Sequence, residues 1–141
     1  MILIGLAGPT GAGRTTVARR LSHGHSFQRL LFRGPDLERD ETWQQQYRER
    51  FEFHRERGTP GVVLNVQSDA EAQLIRDQGG QVWLLQRPGY LTRAGDRYIG
   101  IVPQAPDRGL LNDGPVAALY NRVDKLLDDL MDEQFAGKQA G

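Results

Sequence analysis

Apolar and polar positions fall into blocks along the chain that predict strands and helices in turn. Continuous apolar runs at Ile2–Ala7, Val62–Val66 and Val82–Leu85 predict parallel strands covered on both faces, because a half-exposed strand would alternate instead. Shorter segments at Leu30–Phe32 and Gly109–Asn112 predict two more strands. Five strands separated by helical segments indicate an α/β fold with a mostly parallel sheet.

Helical periodicity fills the intervals between these strands. Ser68 or Asp69 is a typical N-cap for a short helix, which Gly79-Gly80 would end. Gly24 is expected to end the first helix in the same way. Three longer helices are predicted from apolar residues that recur every three or four positions, at Arg14–Ser22, Glu41–Arg57 and Val116–Met131.

The segment Arg87–Asp107 shows neither helical nor strand periodicity in its apolar residues. It contains three glycines, three prolines and the arginines Arg87, Arg93 and Arg97. Long loops of this kind often form lids, so we predict a mobile lid whose arginines close over a transferred phosphoryl group. The alternative is an exposed loop whose arginines are only solvated.

Length and charge predict a single domain. The chain has 141 residues and a formal net charge of zero, which suits one domain over residues 1–133, with a flexible tail at 134–141. The balanced charge argues against general nucleic-acid binding. Without cysteine, neither a disulfide nor a thiolate metal site can form. The apolar start is too short for a signal peptide and no run would span a membrane, so we expect a cytoplasmic protein.

The first predicted strand leads into a glycine-rich turn, Gly8-Pro-Thr-Gly-Ala-Gly-Arg-Thr-Thr16. Its spacing is that of the P-loop, G-x-x-x-x-G-K-[ST], with Arg14 at the lysine position. The glycines would let backbone N–H groups approach an anion, and the following helix would direct its N-terminus there. The weaker alternative is a turn without ligand. The predicted phosphate-binding residues are Gly8, Gly11, Ala12, Gly13, Arg14, Thr15 and Thr16.

A magnesium ion would be bound beside this loop. The hydroxyl of Thr15 or Thr16 could reach a phosphate-bound ion. At the end of the strand Val62–Val66, where P-loop enzymes place a metal-holding aspartate, this chain has Asn65. Asparagine lacks the negative charge, so Thr15 and Asn65 are weak candidate ligands.

Further candidates lie around the second predicted strand. Arg29 and Arg33 are near the point where a second phosphate-bearing ligand would enter a doubly wound sheet. The alternative is that both are solvated. The helix Glu41–Arg57 carries an aromatic stripe that begins at Trp43, and this stripe suits a core better than a base-stacking surface.

Most of the chain resembles the deoxynucleoside monophosphate kinases found chiefly in bacteriophages, a family of adenylate-kinase-like P-loop kinases. The resemblance rests on Gly8–Thr16, on Asn65–Gly80, on Val82–Gly89 with its Arg-Pro-Gly end, and on Leu111–Gly114. It implies a three-layer P-loop NTPase-like fold. It also implies host cytoplasm as the location if the protein is phage-encoded.

The resemblance implies transfer of the γ-phosphoryl group of ATP to a (deoxy)nucleoside monophosphate, with magnesium. ATP would lie on the glycine loop, and the monophosphate would lie between the second strand and the helix around Trp43. Substrate contacts would come from Arg29, Arg33 and Trp43, and the phosphate-contacting catalytic residues would be Arg14, Arg87, Arg93 and Arg97.

Three charge-bearing positions differ from the family pattern, namely Arg14, Asn65 and Gln67. Phosphoryl transfer depends on such charges. The alternative interpretation is therefore a catalytically impaired, kinase-like protein that binds nucleotide or a protein partner. A third hypothesis is that the guanidinium of Arg14 occupies part of its own phosphate cradle. The sequence is compatible with a monomer or a dimer.

Overall fold

A computed structural model describes residues 2–9, 11–30, 42–89 and 101–140, with side chains as far as Gln134. The predicted helices and four of the predicted strands have counterparts among these residues. The second strand shares only Leu30 with the predicted segment Leu30–Phe32, because the structure has it at Gln28–Leu30 and residues 31 and 32 lie outside the described ranges. In chain order the elements are β1 (Leu3–Ala7), α1 (Arg14–His25), β2 (Gln28–Leu30), α2 (Trp43–Glu56), β3 (Gly61–Val63), α3 (Asp69–Asp77), β4 (Gln81–Gln86), β5 (Arg108–Leu111) and α4 (Val116–Ala140).

The sheet has five parallel strands in the order β2-β3-β1-β4-β5. Strand β1 is central, and its residue Gly5 is in register with Val63 of β3 and Val82 of β4. The carboxyl ends of parallel strands share one edge of a sheet, and ligands of such folds bind there. The α/β fold class and the parallel sheet are therefore confirmed.

Helices cover both faces of the sheet. Ile4 and Leu6 belong to a buried cluster with residues of α1 and α4, whereas Leu3 and Ala7 belong to a second cluster with residues of α2 and α3. Side chains of a strand point alternately to its two faces, and every residue of β1 is buried. The three-layer arrangement explains why the first apolar run has no polar alternation.

The aromatic stripe of α2 forms part of the second cluster. Trp43, Tyr47 and Phe51 are all buried. Their rings meet edge to face, with centroid distances of 5.3 Å for Trp43–Tyr47 and 6.1 Å for Tyr47–Phe51. Such aromatic pairs stabilise a core beyond their buried area. The interpretation of the stripe as core is confirmed.

The first helix does not end at Gly24, so that prediction is wrong. Helix α1 continues to His25, and Ser26 adopts the left-handed conformation that terminates it (φ 61°). The backbone N–H groups of Ser26 and Phe27 both donate to the carbonyl of Leu21. Because Phe27 is buried, the turn is set by the point at which the chain re-enters the core.

The last helix is longer than predicted. Helix α4 extends beyond Met131 to Ala140, and therefore includes most of the segment predicted as a tail. Its buried face consists of Leu119, Val123, Leu127 and Leu130, which recur at helical spacing. None of the helices among the described residues has the length and apolarity that crossing a membrane requires.

The predicted lid lies only in part among the described residues, because residues 90–100 fall outside them. Its last section, residues 101–107, contacts α3. The guanidinium of Arg76 donates to Asp107 at 2.5 Å and to the carbonyl of Val102 at 3.0 Å. Ile101 is buried in the second cluster. This end of the segment is thus fixed to the body of the protein.

Candidate functional site

The glycine loop leaves the carboxyl end of β1 and passes close to β4. Gly8 has a φ of +153°, and a Cβ there would lie 2.8 Å from the carbonyl oxygen of Leu85. Gly13 has a φ of +107°, and its Cβ would lie 2.8 Å from Nδ2 of Asn112. A side chain at either position would meet both backbone strain and a steric clash. Glycine at these two positions therefore allows the loop to approach Leu85 and Asn112 closely.

Helix α1 begins at this loop without a side-chain cap. Its N-cap is Gly13, and its first turn has no acidic residue. By contrast, the hydroxyl of Ser68 caps α3 by accepting from the backbone N–H of Glu71 at 3.2 Å. The first N–H groups of a helix carry a partial positive charge and need acceptors. The N-terminus of α1 is suited to an external anion.

Arg14, the first residue of α1, contacts the end of β3. Its Nη1 donates a hydrogen bond to Oδ1 of Asn65, which lies two residues beyond the strand and is exposed. Asn65 follows the carboxyl end of β3, and β3 neighbours β1, so this bond joins the start of α1 to the carboxyl edge of the sheet. The guanidinium of Arg14 therefore lies beside position 65, where P-loop enzymes have a metal-holding aspartate.

The donors at this position fit a directly coordinated magnesium ion poorly. Magnesium prefers oxygen donors, above all carboxylates, whereas Asn65 offers a neutral amide. That amide oxygen already accepts from a cation, and a guanidinium repels a second cation at short range. The described residues contain no group of three His, Cys, Asp or Glu able to hold a metal ion. Magnesium binding by Thr15 and Asn65 stays a prediction.

The residues that directly follow β4 and β5 donate hydrogen bonds to the loop. Arg87, which follows β4, donates from Nη1 to the carbonyl of Gly11 at 3.1 Å. Asn112, which follows β5, donates from Nδ2 to the carbonyl of Ala12 at 3.0 Å. The backbone N–H of Asn112 also donates to the carbonyl of Gln86 at 2.7 Å. The carbonyls of Gly11 and Ala12 are thus both occupied, and within the loop the backbone N–H of Ala12 donates to the carbonyl of Pro9 at 3.1 Å.

These elements enclose a cleft of about 440 Å³. Predicted phosphate-binding residues form one wall, Arg87 contributes positive charge, and the start of α4 forms the opposite wall. Its size matches that of small-ligand sites. The lining residues are Gly11, Gly13, Arg14, Thr15, Thr16, Arg87, Asn112, Gly114, Val116 and Leu119.

The other predicted site residues that the structure describes are not among those that line this cleft. Gly8 and Ala12 belong to the loop itself and are buried. Arg29 is exposed on β2. Trp43 is 7% exposed and packs on Tyr47. The predictions for Arg33, Arg93 and Arg97 fall on residues outside the described ranges.

Sequence reasoning did not assign a role to Asn112. Its side chain both braces the loop and lines the cleft. A usable signal was present, because Asn112 directly follows a strand and the ends of parallel strands converge on the ligand site. The next residues are fixed by Arg122, whose Nη1 donates to the carbonyl of Leu111 and to Asp113, each at 2.6 Å. The hydrogen bond from Arg122 lowers the pKa of Asp113.

Comparison with known proteins finds solved structures that are similar to this chain. No protein-family model matches the sequence, and no curated protein matches it. A sugar kinase from Janibacter sp. HTCC2649 is similar, with a TM-score of 0.66, 15% identity, and 91% of this chain covering 95% of that one. A gluconokinase from Sinorhizobium meliloti 1021 gives a TM-score of 0.61, 12% identity, and 92% of this chain covering 95% of that one.

At such low identities these likenesses establish the fold. The alignments extend over nearly the full length of each chain. The chain has the three-layer fold of the P-loop kinases.

Proposed function

We propose that this protein transfers the γ-phosphoryl group of ATP to a small phosphate acceptor, and that the acceptor is a (deoxy)nucleoside monophosphate. One observation carries the proposal. An uncapped helix N-terminus, a glycine loop and two arginines converge on a single cleft at the carboxyl edge of the sheet. The fold places nucleotides at this edge in proteins of its class.

The donor side of the cleft suits a polyphosphate. Backbone N–H groups of the loop and of the first turn of α1 supply hydrogen-bond donors at fixed positions. Arg14 and Arg87 add positive charge from two sides. A guanidinium can contact two phosphate oxygens at once. We therefore assign the β- and γ-phosphates of ATP to the loop between Gly11 and Thr15.

The reaction needs little covalent chemistry from the protein. An oxygen of the acceptor phosphate attacks the γ-phosphorus, the bond to the β,γ-bridging oxygen breaks, and ADP leaves with that electron pair. No proton has to move when the attacking oxygen belongs to a phosphate dianion. Catalysis then depends on alignment and on positive charge against the transferred group. Arg14 and Arg87 supply that charge here.

The choice of acceptor comes from the sequence resemblance and from the position of Arg29 on β2. Arg29 projects at the exposed surface of that strand, where a phosphate-bearing acceptor would enter a doubly wound sheet. Buried Trp43 would support the wall of this region. The similar solved structures are named as a sugar kinase and a gluconokinase, so gluconate and simple sugars are the acceptors to compare.

A second candidate function is nucleotide binding without turnover. The hydrogen bond between Arg14 and Asn65 favours it, because a guanidinium directed toward β3 need not follow the transferred phosphoryl group as a lysine ammonium would. In this case the protein would bind ATP, and its activity would be exerted through a partner.

The test is an assay of ADP formation from ATP with each acceptor in turn. We expect turnover with one deoxynucleoside monophosphate, and a loss of kcat/KM of about 100-fold in Arg14→Ala, typical for removal of one charge on a transferred group. Arg19→Ala is the matched control, because Arg19 is exposed on α1 away from the cleft. Turnover with gluconate alone would reassign the acceptor.

Measuring ATP binding as well as turnover separates the two candidate functions. Saturable ATP binding without turnover on any acceptor would favour the non-catalytic function. Absence of ATP binding would overturn both.

A further inference from the structure

The peptide group between Leu111 and Asn112 is held from both sides. Its carbonyl accepts from Nη1 of Arg122 at 2.6 Å, and its N–H donates to the carbonyl of Gln86 at 2.7 Å. Because a peptide group is planar, these two bonds fix its orientation. Nη1 of Arg122 also donates to Oδ1 of Asp113 at 2.6 Å. The chain is therefore held immediately before and immediately after Asn112.

The side chain that projects from this held backbone contacts the glycine loop. Nδ2 of Asn112 donates to the carbonyl of Ala12 at 3.0 Å. A Cβ at Gly13 would lie 2.8 Å from the same Nδ2, so the amide of Asn112 lies directly against the loop. The contacts of Arg122 with residues 111 and 113 are thus one step away from the loop to which we assign the phosphates of ATP.

Arg122 itself lies outside the cleft. It lines a separate groove of about 500 Å³ between β5 and α4, and none of the residues that line this groove also lines the cleft. The side chains of Arg122 and Asp113 are 41% and 39% exposed, and ion pairs this exposed contribute little to the stability of a fold. An influence of Arg122 on a bound phosphate is therefore indirect.

We propose, on the basis of the phosphate site assigned above, that Arg122 is a positioning residue for the nucleotide. It holds residues 111–113 so that the amide of Asn112 stays against Ala12 and Gly13, and the loop keeps the shape that binds phosphate. Without Arg122 the fold should be retained, but Asn112 should be free to turn away from the loop.

The test is calorimetric titration of the full chain with ATP and with inorganic pyrophosphate, with excess magnesium chloride throughout. We expect Arg122→Ala to weaken the binding of each ligand by about tenfold, the effect of losing one well-placed hydrogen bond. The loss should be the same for both ligands, because pyrophosphate has the phosphate chain without the base. Asn112→Ala should weaken binding to the same extent.

A double variant tests whether Arg122 acts through Asn112. In Arg122→Ala/Asn112→Ala the dissociation constants should lie within about twofold of those of Asn112→Ala alone, because two residues that act in series do not have additive effects. Two independent losses would instead multiply to about 100-fold. Such a result would mean that Arg122 acts through its charge, and it would overturn the positioning role.

Arg108 provides the matched control. It lies on β5, and its Nη2 donates to Glu133 at 2.5 Å in an ion pair whose arginine is 42% exposed. Arg108→Ala removes the same charge and the same kind of pair, without a contact to residues 111–113. Its affinities for both ligands should match the wild type, and its urea midpoint should fall by no less than that of Arg122→Ala, because both pairs are exposed.

The remaining outcomes are equally specific. Wild-type affinity in Arg122→Ala would overturn the positioning role while leaving the phosphate site in place. A loss for ATP without a loss for pyrophosphate would also overturn it, because the effect would then not pass through the glycine loop. Absence of ATP and pyrophosphate binding in the wild type would overturn the phosphate site, and the role of Arg122 with it.

Discussion

At the scale of single residues, the contact between Gly13 and Asn112 determines the shape of the glycine loop. Gly13 combines a φ of +107° with a clash of any added Cβ against Nδ2 of Asn112 at 2.8 Å. We predict that Gly13→Ala lowers the free energy of unfolding by about 2–3 kcal/mol, because backbone strain and overlap add. Urea denaturation measures this loss.

A matched glycine separates the two contributions. Gly58 also has a positive φ, +67°, but a Cβ there would find nothing within 4 Å. Gly58→Ala should therefore cost only the strain, about 1 kcal/mol. In the Asn112→Ala background the cost of Gly13→Ala should fall to the same value. Equal costs for Gly13→Ala in both backgrounds would mean that Asn112 does not press on the loop.

At the scale of elements, a buried ion pair joins α3 to the segment before β5. The side chains of Arg76 and Asp107 are 5% and 3% exposed. Asp107 also accepts from the backbone N–H groups of Val82 and Gln104. We predict that Asp107→Asn lowers the free energy of unfolding by about 3 kcal/mol, because the buried guanidinium of Arg76 would keep only its longer, 3.7 Å contact with the exposed carboxylate of Asp69.

The exposed pair Arg108–Glu133 provides the control for this prediction. Its side chains are 42% and 50% exposed, so Glu133→Gln, the same carboxylate-to-amide change, should cost less than about 1 kcal/mol. Hydrogen exchange at the Val102 and Gln104 amides, which donate to Asp69 and Asp107, should accelerate only in Asp107→Asn. Similar losses in both variants would contradict a special role for the buried pair.

A second contact between elements makes the docking of α1 on α4 sensitive to acid. Asp124 of α4 accepts from Nη2 of Arg20 at 2.7 Å, and Nε2 of His25 lies 2.8 Å from its other oxygen. The hydrogen bond from Arg20, followed by that from His25, lowers the pKa of Asp124 from 3.8 to about 2. The folded carboxylate therefore binds a proton less readily than the unfolded one.

It follows that this stabilisation is complete above about pH 4 and is lost as the pH falls toward about 2. Because the Asp124 side chain is 31% exposed, we expect a contribution of about 1 kcal/mol after solvent screening. Urea midpoints of the wild type and Asp124→Asn should differ at neutral pH and converge across that range. Asp128→Asn, an exposed acid on the same helix, should show no convergence, and its doing so would refute the assignment.

These element contacts show what the sequence determines and what it does not. The central strands could be predicted because their apolar runs reflect burial on both faces, as in β1 and β3. The ion pair of Arg76 with Asp107 could not, since it joins positions 31 residues apart that only the folded sheet brings together. The left-handed Ser26 was missed for a similar reason, because the re-entry of Phe27 into the core determines where α1 ends.

The candidate site, like the fold, could be predicted from local sequence but not where it depends on contacts between distant residues. The spacing of glycines located the loop correctly at the cleft, since a local turn depends on local residues. The pairing of Arg14 with Asn65 spans 51 residues, and the sequence showed each departure from the P-loop pattern without showing that they meet. The position of Asn112 after a strand made it a recognisable candidate, but its hydrogen bond to a loop 100 residues earlier could not be seen in the sequence.

At the scale of the whole molecule, the two tryptophans report on opposite faces of the sheet. Trp83 belongs to the cluster with α1 and α4, and Trp43 belongs to the cluster with α2 and α3. Both are largely buried, at 0% and 7% exposure, so the fluorescence of each should change on unfolding. The variants Trp43→Phe and Trp83→Phe each leave one reporter.

We predict that both faces unfold together, because the two clusters share the central strands β1 and β4 and neither layer is complete without the sheet. In each variant the urea midpoint from tryptophan fluorescence should coincide with the midpoint from far-ultraviolet circular dichroism, as expected of a cooperative domain of this size. Comparing the two signals within one variant removes the effect of the substitution on stability. If the fluorescence of Trp43 changed before the circular dichroism while that of Trp83 did not, the α2–α3 layer would be a separate unit that unfolds at a lower urea concentration than the rest of the sheet.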